Sequence, residues 1–274
     1  MIEAPLILIV IIIAIALIFD FTNGFHDSAN SISTVVSTKV LSPRNAVVFA
    51  AFFNFMAAFG FGVAVANTIS KIVEINVVGG AVIPYIVMSA LIGAITWNII
   101  TWFFGLPTSS SHALIGGLTG AGISAAGLAA IKWSTVETVA TFMFLSPLIG
   151  LVCGFLFMAL ILNLTKKSNK QTAEIHFKRL QLCSAAAYSF SHGTNDAQKT
   201  IGIIIPLLFS IGYFGATADP NHLSVPLWVI LISYATIALG TLSGGWRIVK
   251  TMGYKITKYT SCFKDWADHT RQWG

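Results

Sequence analysis

Two polar clusters interrupt stretches of chain that are otherwise almost pure hydrocarbon. The first, Asn23-Gly24-Phe25-His26-Asp27-Ser28-Ala29-Asn30, directly follows an apolar run from Pro5 to Phe19. The second, His192-Gly193-Thr194-Asn195-Asp196-Ala197-Gln198-Lys199, has apolar chain on both sides. Each carries Gly-x-x-Asp. Ionisable side chains at membrane depth are costly, so they point to function by default. Two related interruptions in corresponding parts of a chain are the sequence signature of a secondary transporter's binding site.

Composition makes the membrane setting firm. Of 274 residues, 55% are hydrophobic and only 9% charged, against about 25% charged in a soluble domain. The apolar runs are long and continuous, unlike the roughly 10-residue alternating segments of a membrane barrel. The expected fold class is therefore all-α: a polytopic transmembrane helical bundle with discontinuous and re-entrant helices. The N-terminus lacks a basic region and a small-residue cleavage site, so it reads as a first span rather than a removed signal. Cys153, Cys183 and Cys262 are scattered, with no Cys-x-x-Cys, and suggest neither a disulfide framework nor a zinc site.

Span one is expected over residues 4–21, broken by the first cluster and resumed over residues 31–40. Further spans are expected at 45–67 and 79–104, with a polar loop at 68–76 between them. The segment Gly105-Leu106-Pro107-Thr108-Ser109-Ser110-Ser111-His112 then precedes a small-residue helix over 113–131. Its glycines at 116, 117, 120, 122 and 127 suit close backbone packing in lipid, within the chain or in a homo-oligomer. Spans at 142–164, 180–214 (interrupted) and 225–242 complete the reading.

Lys39 and Arg44, the loop holding Lys166, Lys167, Lys170, Lys178 and Arg179, and the tail from Arg247 to Arg271 carry most of the positive charge. Cytoplasmic loops are enriched in Lys and Arg, which explains these patches without a nucleic-acid partner. The first cluster then lies on a segment running inward and the second on one running outward. That is an inverted-topology repeat. The expected organisation is a first repeat over 1–164, a basic cytoplasmic loop over 165–179, a partial second repeat over 180–246, and a polar, basic tail over 247–274. The whole is a multi-pass protein of the cell (inner) membrane, with lipid as its surround.

The clusters suggest their own chemistry. Glycine in an apolar helix relaxes the backbone, and unwound backbone at membrane depth lines a cavity. A helix restarting near Ser28 would offer amides to an anion. Asp27, Asp196 and freed carbonyls would offer oxygens to sodium or a proton. Lys199 either pairs with Asp196 or holds an anion as a point charge. Pro107 to His112 reads as a capped helix start whose hydroxyls and amides suit a tetrahedral oxyanion. A Ser111–His112 nucleophile pair in an intramembrane hydrolase is a less favoured alternative, because no Gly-x-Ser-x-Gly elbow is present. Such an oxyanion beside two ionised aspartates would be repelled in a low dielectric, so cations or protons must enter with it.

At these residues the chain resembles the PiT family of inorganic phosphate transporters, in its bacterial low-affinity form. Asn23, Gly24, Asp27 and Asn30 match the family's first signature, with His26 in place of an asparagine. Gly193, Asn195 and Asp196 match the second, and Pro107, Ser109 and His112 match the re-entrant motif, with Ser110 and Ser111 for its threonines. The resemblance implies uptake of inorganic phosphate or a metal–phosphate complex, coupled to co-transported Na+ or H+, with no other cofactor and no enzymatic activity. It implies phosphate binding at Ser109, Ser110, Ser111, Asn30, Gln198 and Lys199. It implies cation or proton coupling at Asn23, His26, Asp27, Asn195 and Asp196, with any Na+ held at Asp27 and Asp196. The two signatures begin 169 residues apart (192 minus 23), and the re-entrant motif follows the first by 84 (107 minus 23). A second re-entrant motif is therefore expected near residue 276 (192 plus 84), past Gly274. The alternative to a working transporter is an inactive truncated fragment, or a subunit needing a partner for the missing helices.

Overall fold

A computed structural model describes residues 6–60, 71–166, 169–210, 212–214 and 225–256. Its helices are α1 (Leu6–Ser37), α2 (Pro43–Met56), the single turn α3 (Ile75–Val78), α4 (Ile83–Phe104), α5 (Ser110–Ala126), α6 (Trp133–Thr165), α7 (Lys170–Ser210), α8 (Leu227–Ser243) and α9 (Trp246–Lys250). No strand occurs among the described residues; an isolated bridge pairs Val73 with Ile131.

The bundle is built inside out relative to a soluble protein. Phe144, Phe155, Leu151 and Leu164 point outward on α6, and that helix has no buried residue at all. Polar side chains instead fill the interior: Asp20, Asn23, His26, Asp27, Asn54, Asp196 and Lys199 are all buried. Such an arrangement is stable only where hydrocarbon, not water, surrounds the outer face. Helices α1, α4 and α6 are long and apolar enough to cross a membrane, and α8 with α9 forms a further candidate bent by 53°. At about 1.5 Å per residue, α1 alone is ~48 Å long, well beyond a hydrocarbon core of ~30 Å.

The expected breaks at the two clusters do not occur. Residues 23–30 lie within unbroken α1, and residues 192–199 within unbroken α7. The glycines serve a different purpose. A Cβ on Gly24 would collide with the backbone carbonyl of Ile237 in α8, and one on Gly193 with the backbone of Asn54 in α2. They let pairs of helices touch backbone to backbone, which costs no hydrogen bonds, whereas unwinding would free several amides with no water to receive them. Helix α1 instead ends beyond Ser37, where Lys39 takes a left-handed φ of 60°.

Other boundaries also shift. α7 starts at Lys170, so most of the predicted basic loop is helical. α6 begins at Trp133, nine residues before the expected start at residue 142 (142 minus 133). The small-residue helix stops at Ala126, where Gly127 ends it, and a single 3-10 turn follows. Of its glycines, Gly117 abuts the Ala90 backbone and Gly122 the Ile131 side chain, while Gly116, Gly120 and Gly127 touch nothing within 4 Å. The expected end of the second span at Asn67, the loop start at Thr68 and the tail beyond residue 256 lie outside the described residues.

Helices α4 and α5 form an antiparallel hairpin. Gly105 closes its tip with φ 68°, a conformation glycine adopts without strain, and its amide bonds Trp102 O at 2.9 Å. The open end is tied by Glu74 N to Ala130 O (2.8 Å) and Lys132 N to Ile72 O (3.0 Å). The chain therefore returns to the side from which α4 started, however deep the tip reaches. This settles the direction of α7. Thr38 and Gln181 share a side-chain hydrogen bond, and Asp27 faces His192 at 3.8 Å. Eleven residues back along α1 (38 minus 27) match eleven forward along α7 (192 minus 181). The two cluster-bearing helices are antiparallel partners, as an inverted repeat requires.

Candidate functional site

The site grows from helical spacing on α1. Asn23 and Asp27 stand four apart, so both project to one face. His192, Asp196 and Lys199 do the same on α7. The antiparallel pairing brings these two faces together, and the tip of the α4–α5 hairpin packs against the α1 side of the cluster.

Ser110, the first residue of α5, is fully buried and aims its hydroxyl at α1. It contacts Asn23 Oδ1 closely and lies 3.0 Å from Asp27 Oδ2. Asp27 Oδ1 lies 3.1 Å from His26 Nδ1. The other nitrogen of that ring meets Thr101 Oγ1 at 3.2 Å and Thr108 Oγ1 at 3.4 Å. On α7, Lys199 Nζ lies 2.9 Å and His192 Nε2 3.2 Å from Asp196 Oδ2. His192 thus stands between the two aspartates. Its Nδ1 faces Asn54 Oδ1 at 3.4 Å, and Asn54 donates to Thr241 Oγ1 at 2.8 Å. One ligand atom each of Asp27, His192 and Asp196 falls within 4.8 Å of the others.

The remaining sequence candidates are less central. Ser109 caps α5, accepting from the His112 amide at 3.4 Å. Ser111 and Asn30 are half-buried, Gln198 is buried, and Asn195 is exposed. His112 is exposed too, and no side-chain bond joins it to Ser111. Sequence reasoning missed Asp20, Asn54, Thr101 and Thr241, while Thr108 belongs to the hydroxyl run it had singled out. Asp20 was legible in principle, since it continues the Asn23–Asp27 face by one turn. The others lie in apolar segments and come to the site only through tertiary packing.

Apolar helices turned outward around an ionisable cluster, shared by two oppositely directed helices, define a helical membrane transporter rather than an enzyme. Comparison with known proteins agrees. Residues 23–263 match the model of the phosphate transporter family. A protein of Rhizobium meliloti named "Probable low-affinity inorganic phosphate transporter" is 51% identical over 252 residues, covering 92% of this chain and 73% of the relative. One of the same name from Bacillus subtilis is 44% identical over 255 residues, covering 92% of this chain and 74% of the relative. Among solved structures, "The sodium-dependent phosphate transporter" superposes with a TM-score of 0.84 at 25% identity, covering 94% of this chain and 80% of the other. The chain belongs to the phosphate transporter family, whose members are multi-pass proteins of the membrane and not hydrolases.

Proposed function

We propose that this chain takes up inorganic phosphate together with protons. The observation that carries the reading is the company kept by the two aspartates. Asp196 is flanked by Lys199 and His192, and Asp27 by His26 and His192. Each carboxylate already faces nitrogen groups of the protein, and two of the three are imidazoles, which exchange protons near neutral pH.

Phosphate would enter at the amino end of α5. There the amides of Ser110 and Ser111, the hydroxyls of Ser109, Ser110 and Ser111, and the helix dipole favour an anion. Lys199, Asn30 and Gln198 complete the proposed phosphate set from α7 and α1. Phosphate at neutral pH carries between one and two negative charges. Two unit charges 4 Å apart interact by about 4 kcal/mol at an effective dielectric of ~20. Phosphate beside Asp27 and Asp196 is therefore admitted only as protons enter the site with it. Asn23, with Asp27, holds Ser110 and so links the phosphate end to the charge-balancing end; Asn195 is proposed as a further coupling group on α7.

Sodium coupling is the second reading. It is favoured by the sodium dependence named for the structural neighbour, and by the closeness of the Asp27, His192 and Asp196 ligand atoms. Phosphate accumulation in proteoliposomes separates the two. A proton gradient without sodium should drive it; accumulation driven by sodium alone, with no response to the pH gradient, overturns the proton reading.

A further inference from the structure

Asp20 is the buried ionisable group that this scheme leaves unused. It sits on α1, one turn before Asn23 and two before Asp27, and is 0% exposed. Neither of its carboxylate oxygens has a hydrogen-bond partner among the described residues. The Thr200 hydroxyl of α7 lies beside it and is itself buried, with no settled hydrogen-bond partner. A third orphan sits on α8. Gly24 abuts Ile237, and further along the Gly245 amide bonds Ser28 Oγ at 2.8 Å, so α1 and α8 run in the same direction. Ser233 precedes Ile237 by one turn, as Asp20 precedes Gly24. Ser233 therefore lies toward the same end of α8 as Asp20 does of α1, and its hydroxyl is buried without a partner. Asp20, Thr200 and Ser233 thus place three buried oxygen groups without a partner on three neighbouring helices, at the same end of their contacts.

The charged and titratable groups facing Asp20 are Asp196, Lys199 and His192 on α7 and Tyr234 on α8. On its own helix the nearest are His26 and Asp27. Lys199 is drawn to Asp196 at 2.9 Å, and His192 lies between Asp196 and Asp27. No cation among the described residues is left to neutralise a carboxylate at Asp20. A bare charge in this setting is far costlier than a neutral acid.

We propose that Asp20 is held as a neutral carboxylic acid and is a proton-binding position of the transport cycle, two turns of α1 outward of Asp27. Binding adds one proton to a carboxylate oxygen, and the resulting O–H donates to the hydroxyl oxygen of Thr200. Along the α1–α7 interface the exchangeable groups then follow in the order Asp20, Asp196, His192, Asp27, His26. The proposal deepens the proton-coupled reading and rests on it for its role in transport, though not for the protonation itself.

Infrared spectroscopy of the purified full chain at neutral pH tests the protonation. The wild type should show the absorption of a buried carboxylic acid that is lost in Asp20→Asn and does not shift on adding sodium. Loss of a carboxylate absorption instead, or no difference between the two proteins, overturns the proposal. In proteoliposomes, Asp20→Asn should keep phosphate exchange at equal pH while fewer protons accompany each phosphate and the pH dependence of uptake flattens. An unchanged proton-to-phosphate ratio assigns Asp20 a structural part only and overturns the transport role. If the wild type moves no phosphate at all, the proposed function fails, and the infrared result still decides the state of Asp20.

Discussion

Ser110 joins the two halves of the site's chemistry. Its hydroxyl reaches both Asn23 and Asp27, so it ties the hairpin tip to α1. Hydrogen bonds to charged groups contribute about 1.5–3 kcal/mol. Ser110→Ala should therefore lower initial phosphate uptake roughly 10- to 100-fold, by the same energies, while Ser110→Thr, which keeps the hydroxyl, retains most of it. Lys199 makes a different case. It is buried, and removing one partner of a buried ion pair costs about 3–5 kcal/mol. Lys199→Met should lower the thermal midpoint in detergent, and adding Asp196→Asn should recover part of the loss. A midpoint equal to wild type would show that the Lys199–Asp196 pair contributes nothing. Arg247 illustrates a contact no local pattern announces: it donates to Phe103 O at 2.7 Å and stacks over Trp102 and Phe103, fixing α9 against the end of α4.

At the level of elements, the glycines of the two clusters decide how helices meet. Gly24 sets the α1–α8 crossing and Gly193 the α2–α7 crossing, each against a neighbour's backbone. Backbone cannot step aside as a flexible side chain can, so a methyl group there is overpacking worth about 1–3 kcal/mol. Gly24→Ala and Gly193→Ala should each lower the thermal midpoint, whereas Gly116→Ala, where nothing lies within 4 Å, should not. The antiparallel register of α1 and α7 is open to a direct test. Thr38→Cys combined with Gln181→Cys should be joined by a short bifunctional thiol reagent. Thr38→Cys combined with Tyr213→Cys, in the turn past the far end of α7, should not. The length of α7 was hard to read because its polar residues Asp196, Gln198, Lys199 and Thr200 lower its hydropathy; they are tolerated since all four turn inward.

For the whole molecule, the α4–α5 hairpin is what makes the topology self-consistent. Because the hairpin returns to its own side, α6 crosses once and α7 must start opposite the hairpin's open end. Arg44 and Lys178 then share one face of the membrane, and Lys132 lies on the other. In a cysteine-free background, Arg44→Cys and Lys178→Cys should be labelled from the cytoplasm and Lys132→Cys from outside; Lys132→Cys labelled from the cytoplasm would reverse the fold's direction. The inverted arrangement also explains why the site lies between α1 and α7. Two helices of opposite direction, each with polar groups at helical spacing, bury those groups most completely against each other.

Sequence by itself determined the membrane setting, the helical class and the family, and loop charge suggested the opposed direction of the two halves that the hairpin then fixes. Each follows from long-range counting of apolar length and loop charge, or from motifs that survive in order along the chain. Asn23, His26, Asp27, Asp196 and Ser110 were also legible as candidate site residues, because ionisable and hydroxyl groups in hydrocarbon need a reason to be there. The state of the backbone at the clusters was not. A glycine that loosens a helix and a glycine that admits a neighbour look the same in one dimension, and only the positions of Ile237 and Asn54 distinguish them. Asp20, Asn54, Thr101 and Thr241 likewise acquire meaning only when packing removes every route to water. What tertiary structure decided is which polar groups share an interior, and so which charges must be balanced together.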